Sequence, residues 1–228
     1  MSDKSFYAQL LAETEPARDE FLRIPIIVEA LHGGVERELY LSYLAQAYHH
    51  VRHTCPLLAA ALSRCSKDDD VYRDALLEYI EEERGHEQWI LNDIAALGGD
   101  VESVCAGEGS DEVRIMVGYA YHVIERVSPY GLLGMVHVLE GMSVALAQQA
   151  AASIRQSLVE SDGRGFSYLT SHGSLDQEHV AFFERLVNVI DKIGHQRAIV
   201  DTARIMYRLF GNVFQALYAP GGVSRNAA

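Results

Sequence analysis

Apolar residues recur along most of the chain at spacings of three and four, the signature of helices with one buried face, and rarely at alternate positions. No Asn-Gly or Asp-Gly pair sits between alternating apolar runs, so β-hairpins are not expected. The periodic segments are divided by Gly, Pro and Asp. A first helix is predicted from about Lys4 to Thr14, closed by Pro16. A second covers about Ala17 to Leu31, is kinked or divided by Pro25, and ends at Gly33-Gly34. A long segment from Val35 to about Cys65 carries a bend at Pro56. Asp68, Asp69 and Asp70 put negative charge at the start of the next helix, which stops at Gly98-Gly99. Another runs from about Asp111 to Val127. Ser128 then caps a helix that Pro129 opens and that reaches about Val159, before the loop SDGRG. The last two cover about Phe166 to Ile193 and Gln196 to Tyr218, and the tail from about residue 219 frays. The expectation is an all-α bundle of seven or eight helices. With no repeat period and no composition break, it forms one domain over residues 1–228.

Composition narrows the function. Of 228 residues 49% are apolar, enough for a substantial core. The net charge of −13, with 19 Lys and Arg scattered along the chain, argues against nucleic acid and against an anionic membrane surface. No uninterrupted apolar run has the ~18–20 residues of a spanning helix. The N-terminus MSDKSFYAQLLAETEP lacks a signal peptide's apolar region. Cys55, Cys65 and Cys105 are odd in number with no CxxC, so a reducing cytoplasm is expected.

Three places break the apolar stripes with groups that cores do not accept unpaired. In SHGSLDQEHVAFFERLVNVI, His172, Asp176 and His179 share a face that continues into Phe183, Leu186 and Ile190. Ser174 and Gln177 offer an alternative there, a capping box that starts the helix later and leaves His172 outside. In SPYGLLGMVHVLEGMSVALAQ, Glu140 lies in a stripe with Leu133, Val136, Val144 and Ala147, which calls for a metal or an internal salt bridge. In LLEYIEEERGHEQWILNDI, His86 shares a face with Glu82 and Glu83, and ExxH is a ligand pair of carboxylate-bridged di-iron bundles. Either glutamate can be the ligand, the other facing solvent. Together these supply three imidazoles and three carboxylates from three helices. Such a set suits two non-haem iron or manganese ions better than zinc, which prefers four ligands and often thiolate.

The order His86, Glu140, His172-x3-Asp176-x2-His179, covering about 95 residues, resembles the haem-oxygenase-like di-iron oxidases and oxygenases. Those share a fold with TenA thiaminases, PqqC quinone-cofactor enzymes and haem oxygenase. The resemblance implies a seven- or eight-helix bundle, often a homodimer, that binds two Fe(II) and reacts with O2 as co-substrate. Glu82 or Glu83 with His86 would hold one metal, and His172, Asp176 and His179 would complete the pair, with Glu140 bridging or terminal. Many members carry a glutamate seven residues before the histidine, where this chain has Tyr79; others use one three before it, as Glu83 is. Tyr79 and Trp89, flanking His86, are candidates for redox-active residues or for simple packing. In the run YHHVRH, His49, His50 and His53 are candidates for a substrate pocket.

Three functions follow. The first is an O2-dependent di-iron oxidase or oxygenase acting on a small organic substrate. The second is a metal-free TenA- or PqqC-like enzyme acting on a heterocycle, the TenA chemistry requiring a cysteine nucleophile. The third is a ferritin-like metal-binding protein without turnover. Haem binding would call on His32.

Overall fold

The computed structural model describes residues 5–33, 35–158 and 163–218, with the side chains of 172–178 outside that description. Among the described residues it contains α-helices and one 3-10 turn and no strand, an all-α architecture. Helix α1 (Phe6–Leu22) starts at Ser5, whose hydroxyl accepts from the Ala8 N–H, and it runs through Pro16 instead of ending there. Burial holds it together: Phe6, Leu10 and Thr14 before the proline and Phe21 after it all face the core. The break comes at Arg23-Ile24, and Pro25 opens α2 (Pro25–His32), where a missing N–H costs nothing.

Two predicted long helices are each divided. The segment expected to bend at Pro56 is α3 (Arg37–Val51) and α4 (Thr54–Arg64), parted at Arg52-His53. A proline ring clashes with the carbonyl four residues earlier, and for Pro56 that carbonyl belongs to Arg52. The next is α5 (Asp70–Glu83) and α6 (His86–Ala96), separated by an extended Arg84 and by Gly85 at φ +94°, a conformation glycine tolerates. A short α7 (Val101–Ala106), unforeseen in the sequence, precedes α8 (Asp111–Arg126). After the 3-10 turn Pro129–Gly131 come α9 (Leu132–Ser157), α10 (Ser167–Asn188) and α11 (Ile193–Leu217). The seven or eight expected helices thus become eleven among the described residues, through two divisions and one addition.

Helix α9 is the axis of the molecule, packing along α10 and α11 and against α2. Pro129–Ser157 is long and apolar enough to cross a membrane, but Leu133, Met135, Val138 and Met142 on it are core residues of the bundle. Two apolar cores lie along it. One gathers α1, α4, α5, α8, α11 and the first half of α9; the other gathers α3, α6, the second half of α9 and the start of α10. Gly134 lets α9 reach α11: a Cβ there would stand 2.4 Å from the Ile199 carbonyl oxygen and 2.7 Å from the Ala203 nitrogen. Gly141, two turns on, has open space where its Cβ would be. Gly134→Ala is therefore expected to destabilise the protein by about 1–3 kcal/mol through forced separation of two backbones. Gly141→Ala should stabilise it by up to about 1 kcal/mol through helix propensity. Urea denaturation of the two variants checks the opposite signs.

Candidate metal centre

The break between α5 and α6 shapes the site. Successive residues on a helix differ by about 100° in direction, so of the pair that ends α5, Glu83 turns inward and Glu82 stays at the rim. The Glu83 side chain is 10% exposed and that of Glu82 42%. Gly85 reverses the chain so that His86, the first residue of α6, returns its Nδ1 to 3.1 Å from Glu83 Oε2. Trp89, one turn on, lies face to face with the His86 ring at 4.1 Å between centroids.

Opposite stands His179, buried on α10. Its Nε2 is 3.2 Å from Glu82 Oε2, and its Nδ1 is 3.8 Å from Glu83 Oε1 and 3.7 Å from Glu140 Oε1. One ligand atom from each of Glu83, Glu140 and His179 lies within 4.8 Å of the others, spacing that can hold a metal ion. Glu83 is shared: one oxygen faces His86 and the other His179. Both candidate glutamates of the ExxH pair thus reach the cluster, Glu82 from the rim. His172 and Asp176 fall on α10, which begins at Ser167, so the capping-box alternative does not set its start. Their side chains lie outside the described residues.

Tyr79, one turn before Glu82 and Glu83, is buried with its ring edge-on to His179 at 6.2 Å. Its hydroxyl has no hydrogen-bond partner among the described residues. Burial first, then the charges of Glu140, Glu82 and Glu83, hold its pKa well above the ordinary phenol value, so it keeps its proton. The cluster opens on a cavity of about 690 Å³, solvent at its mouth included, lined by Tyr79, Glu83, Glu140 and His50 among others. Of the three pocket candidates, His50 therefore lines it, whereas His49 and His53 do not. His49 points 100° away, beneath Gly109, whose Cβ would meet its ring. His53 sits in the α3–α4 break, edge-on to Tyr121.

Two residues that position the site escaped the sequence reading. Asp93, buried on α6, accepts hydrogen bonds from the Ser167 N–H (2.9 Å), the Ser167 hydroxyl (2.7 Å) and the Tyr168 N–H (2.8 Å). It closes the N-terminus of α10 from another helix, so no local motif betrays it. His137 lies one turn before Glu140, stacked on Phe183 with its Nε2 3.3 Å from the Thr14 hydroxyl. Burial, aided by the charge of Arg18, lowers its pKa to about 4. Its place within an apolar run was the available signal.

Asp93→Ala leaves buried donors unpaired and is expected to cost about 2–3 kcal/mol, read from urea denaturation. For His137 the neutral ring is the folded form. Its stabilisation is complete above pH 6.5 and is lost as pH falls toward 4, about 2 kcal/mol of it between pH 7 and 5. His137→Gln should remove that part of the pH dependence; an unchanged stability profile would contradict the assignment.

Comparison with known proteins places the fold. Among solved structures, a domain of unknown function with a haem oxygenase-like fold from Shewanella denitrificans superposes with a TM-score of 0.84 at 21% identity, over 93% of this chain and 91% of that one. A TenA homologue from Pseudomonas syringae gives 0.79 at 13% identity, over 93% and 92%. Haem oxygenase-2 from Synechocystis, solved with haem and NO, gives 0.73 at 18% identity, over 94% and 85%. Likeness at such identities shows a shared haem-oxygenase-like fold and nothing of activity. No curated protein matches the sequence. The family model described as iron-containing redox enzyme matches residues 41–211, three quarters of the length, and the chain belongs to that family.

Proposed function

We propose that this protein is an O2-dependent di-iron oxidase or oxygenase acting on a small organic substrate held beside Glu83 and Glu140. The observation that carries the reading is a buried imidazole, His179, with carboxylates of Glu82, Glu83 and Glu140 all 3.2–3.8 Å away, two of which, Glu83 and Glu140, line a cavity. The donor set fits iron: it is imidazole and carboxylate without thiolate, and its negative charge calls for a cation. His86, Glu83, Glu82, Glu140 and His179 would hold the two ions together with His172 and Asp176. Bound iron supplies O2 binding and electron transfer, which none of these side chains performs.

The chain's own contribution is positioning and exclusion of water. Glu83 presents one oxygen to each side of the centre, toward His86 and toward His179. The Tyr79 hydroxyl, protonated and buried, is a hydrogen-bond donor beside the carboxylates. Leu57, Leu58, Leu132 and Met135 close the chamber with apolar surface.

The TenA-like alternative requires a nucleophilic thiol, and none of the three cysteines lines this cavity. Cys55 donates toward the Ile80 carbonyl and Cys65 toward Ala61, burial raising both thiols and that of Cys65 to about 11, while Cys105 is exposed on α7. His32, the candidate for haem, is exposed with its Nδ1 2.7 Å from the Val28 carbonyl oxygen of its own helix.

Reconstitution with Fe(II) under anaerobic conditions, followed by elemental analysis, tests the proposal. Close to two irons per chain are expected, and His179→Ala and Glu83→Ala should each weaken uptake by more than about tenfold. Full iron content in His179→Ala would overturn the proposed centre.

A further inference from the structure

A second, larger cavity of about 910 Å³, its mouth included, lies in the seam between the two cores, with walls from α1, α2, α3, α9, α10 and α11. Interiors normally close up around voids larger than a water molecule, so an apolar space that stays open across six helices calls for an occupant. Small residues on α9 keep this one open: Ser143, Ala147 and Ala150 occupy successive turns of its lining, where a leucine at each would fill the space. Its other walls are side chains such as Ile27, Leu39 and Phe214. Among the described residues no charged side chain lines it. Of the polar groups present, the Tyr40 hydroxyl donates to the Gly165 carbonyl at 3.0 Å, and those of Tyr43 and Tyr168 share a hydrogen bond.

The two cavities share His50, Leu139, Ser143 and Tyr168 in their linings, so they adjoin at these residues, where a neck between them would lie. Helix α9 gives the order. Ser143 follows Glu140 by about 5 Å along the helix axis, Ala147 by about 10 Å and Ala150 by about 15 Å. The apolar space therefore begins beside Glu140, at Leu139 and Met142, and extends along α9 away from it to Ile154. Tyr168 is fixed by Asp93 at the start of the helix that also bears His179, so the neck and the centre share one rigid support.

We infer that the substrate carries an uncharged apolar body, alkyl or aryl, lodged in the seam cavity, with its reactive end passed through the neck to the chamber beside Glu83 and Glu140. This rests on the reading of that chamber as the reaction centre. An ionised group in the body would lose its water and meet no counter-charge in these walls. Any charged or polar group on the substrate belongs at the end that enters the chamber. The seam cavity then selects for apolar bulk and length, and Ser143, Ala147 and Ala150 set how much fits.

Iron-free protein loaded with the fluorescent probe 1-aminoanthracene and titrated with straight-chain 1-alkanols tests this. Each added methylene is expected to tighten displacement of the probe about fourfold, until the cavity is filled and the series levels off. Decane-1,10-diamine, charged at both ends, should displace at least tenfold less well than 1-decanol. Ala147→Phe should move the levelling point to shorter alkanols. Ala150→Leu, at a half-buried position, makes the same test with a smaller intrusion should the first variant not fold. A series without chain-length dependence, equal displacement by the diamine, or a levelling point unmoved in a folded variant would each overturn the inference. Because iron is absent, the two readings fail separately. A missing metal centre shows as low iron content with the alkanol series intact, and a missing substrate cavity shows as a flat series whatever the iron content.

Discussion

Crowding of negative charge around one buried imidazole is the constraint on which the rest of this structure depends. Two carboxylates within 5 Å repel by about 3 kcal/mol even at an effective dielectric constant of about 20, and Glu82, Glu83 and Glu140 all face His179. Such a cluster does not assemble for its own stability; the helices bearing it must be held by packing elsewhere. The surroundings of α9 meet that demand. Gly134 brings its first half against the α11 backbone, and α10 packs along its length. Glu140 is thus carried by the most heavily packed helix of the bundle, and His179 by its neighbour.

The two cores divide the work. The first, rich in aromatic and aliphatic side chains from α1, α5, α8 and α11, surrounds the chamber beside the cluster. The second anchors α3, α6 and the start of α10 through Tyr40, Phe166 and the Asp93 cap. A bundle with two cores has a seam, and in this chain the seam is left unfilled where α9 carries serine and alanine. The large cavity is therefore a consequence of the same arrangement that fixes the centre, with α9 serving both as axis and as the wall common to chamber and seam.

How much of this the sequence discloses depends on whether a feature is local. The helical period and the stripe around Glu140 are local, and the all-α class, the position of Glu140 in the interior and the convergence of His86 and His179 were legible from them. The helix divisions were half legible. Pro56 announces a break but places it four residues upstream, at the carbonyl its ring displaces, and Pro16 fails to end α1 because core contacts on both sides outweigh one lost hydrogen bond. Gly85 was hidden in EEERGHE, where the helical period runs on across it toward Gly98-Gly99. Asp93 and His137 were not legible, since Asp93 acts on residues 74 and 75 positions away and the hydroxyl facing His137 is 123 positions away.

Tyr79 shows how a phenol, where the resemblance leads one to expect a carboxylate, fits the charge balance. A glutamate at this position would add a fourth carboxylate to a group already short of positive charge. The phenol is held protonated by burial and by the carboxylates around it, so it adds a donor and no charge. The carboxylate it omits is available from the end of α5, where two consecutive glutamates serve different sides of the centre. Glu83 points inward by helical geometry, and Glu82 reaches His179 from the rim. This sharing depends on the helix ending at Glu83. Were α5 continuous into α6, His86 would follow Glu83 by most of a turn on a single axis. Gly85 frees it to approach the inward carboxylate from a second direction, so that four helices, α5, α6, α9 and α10, bring candidate ligands together from three stretches of sequence.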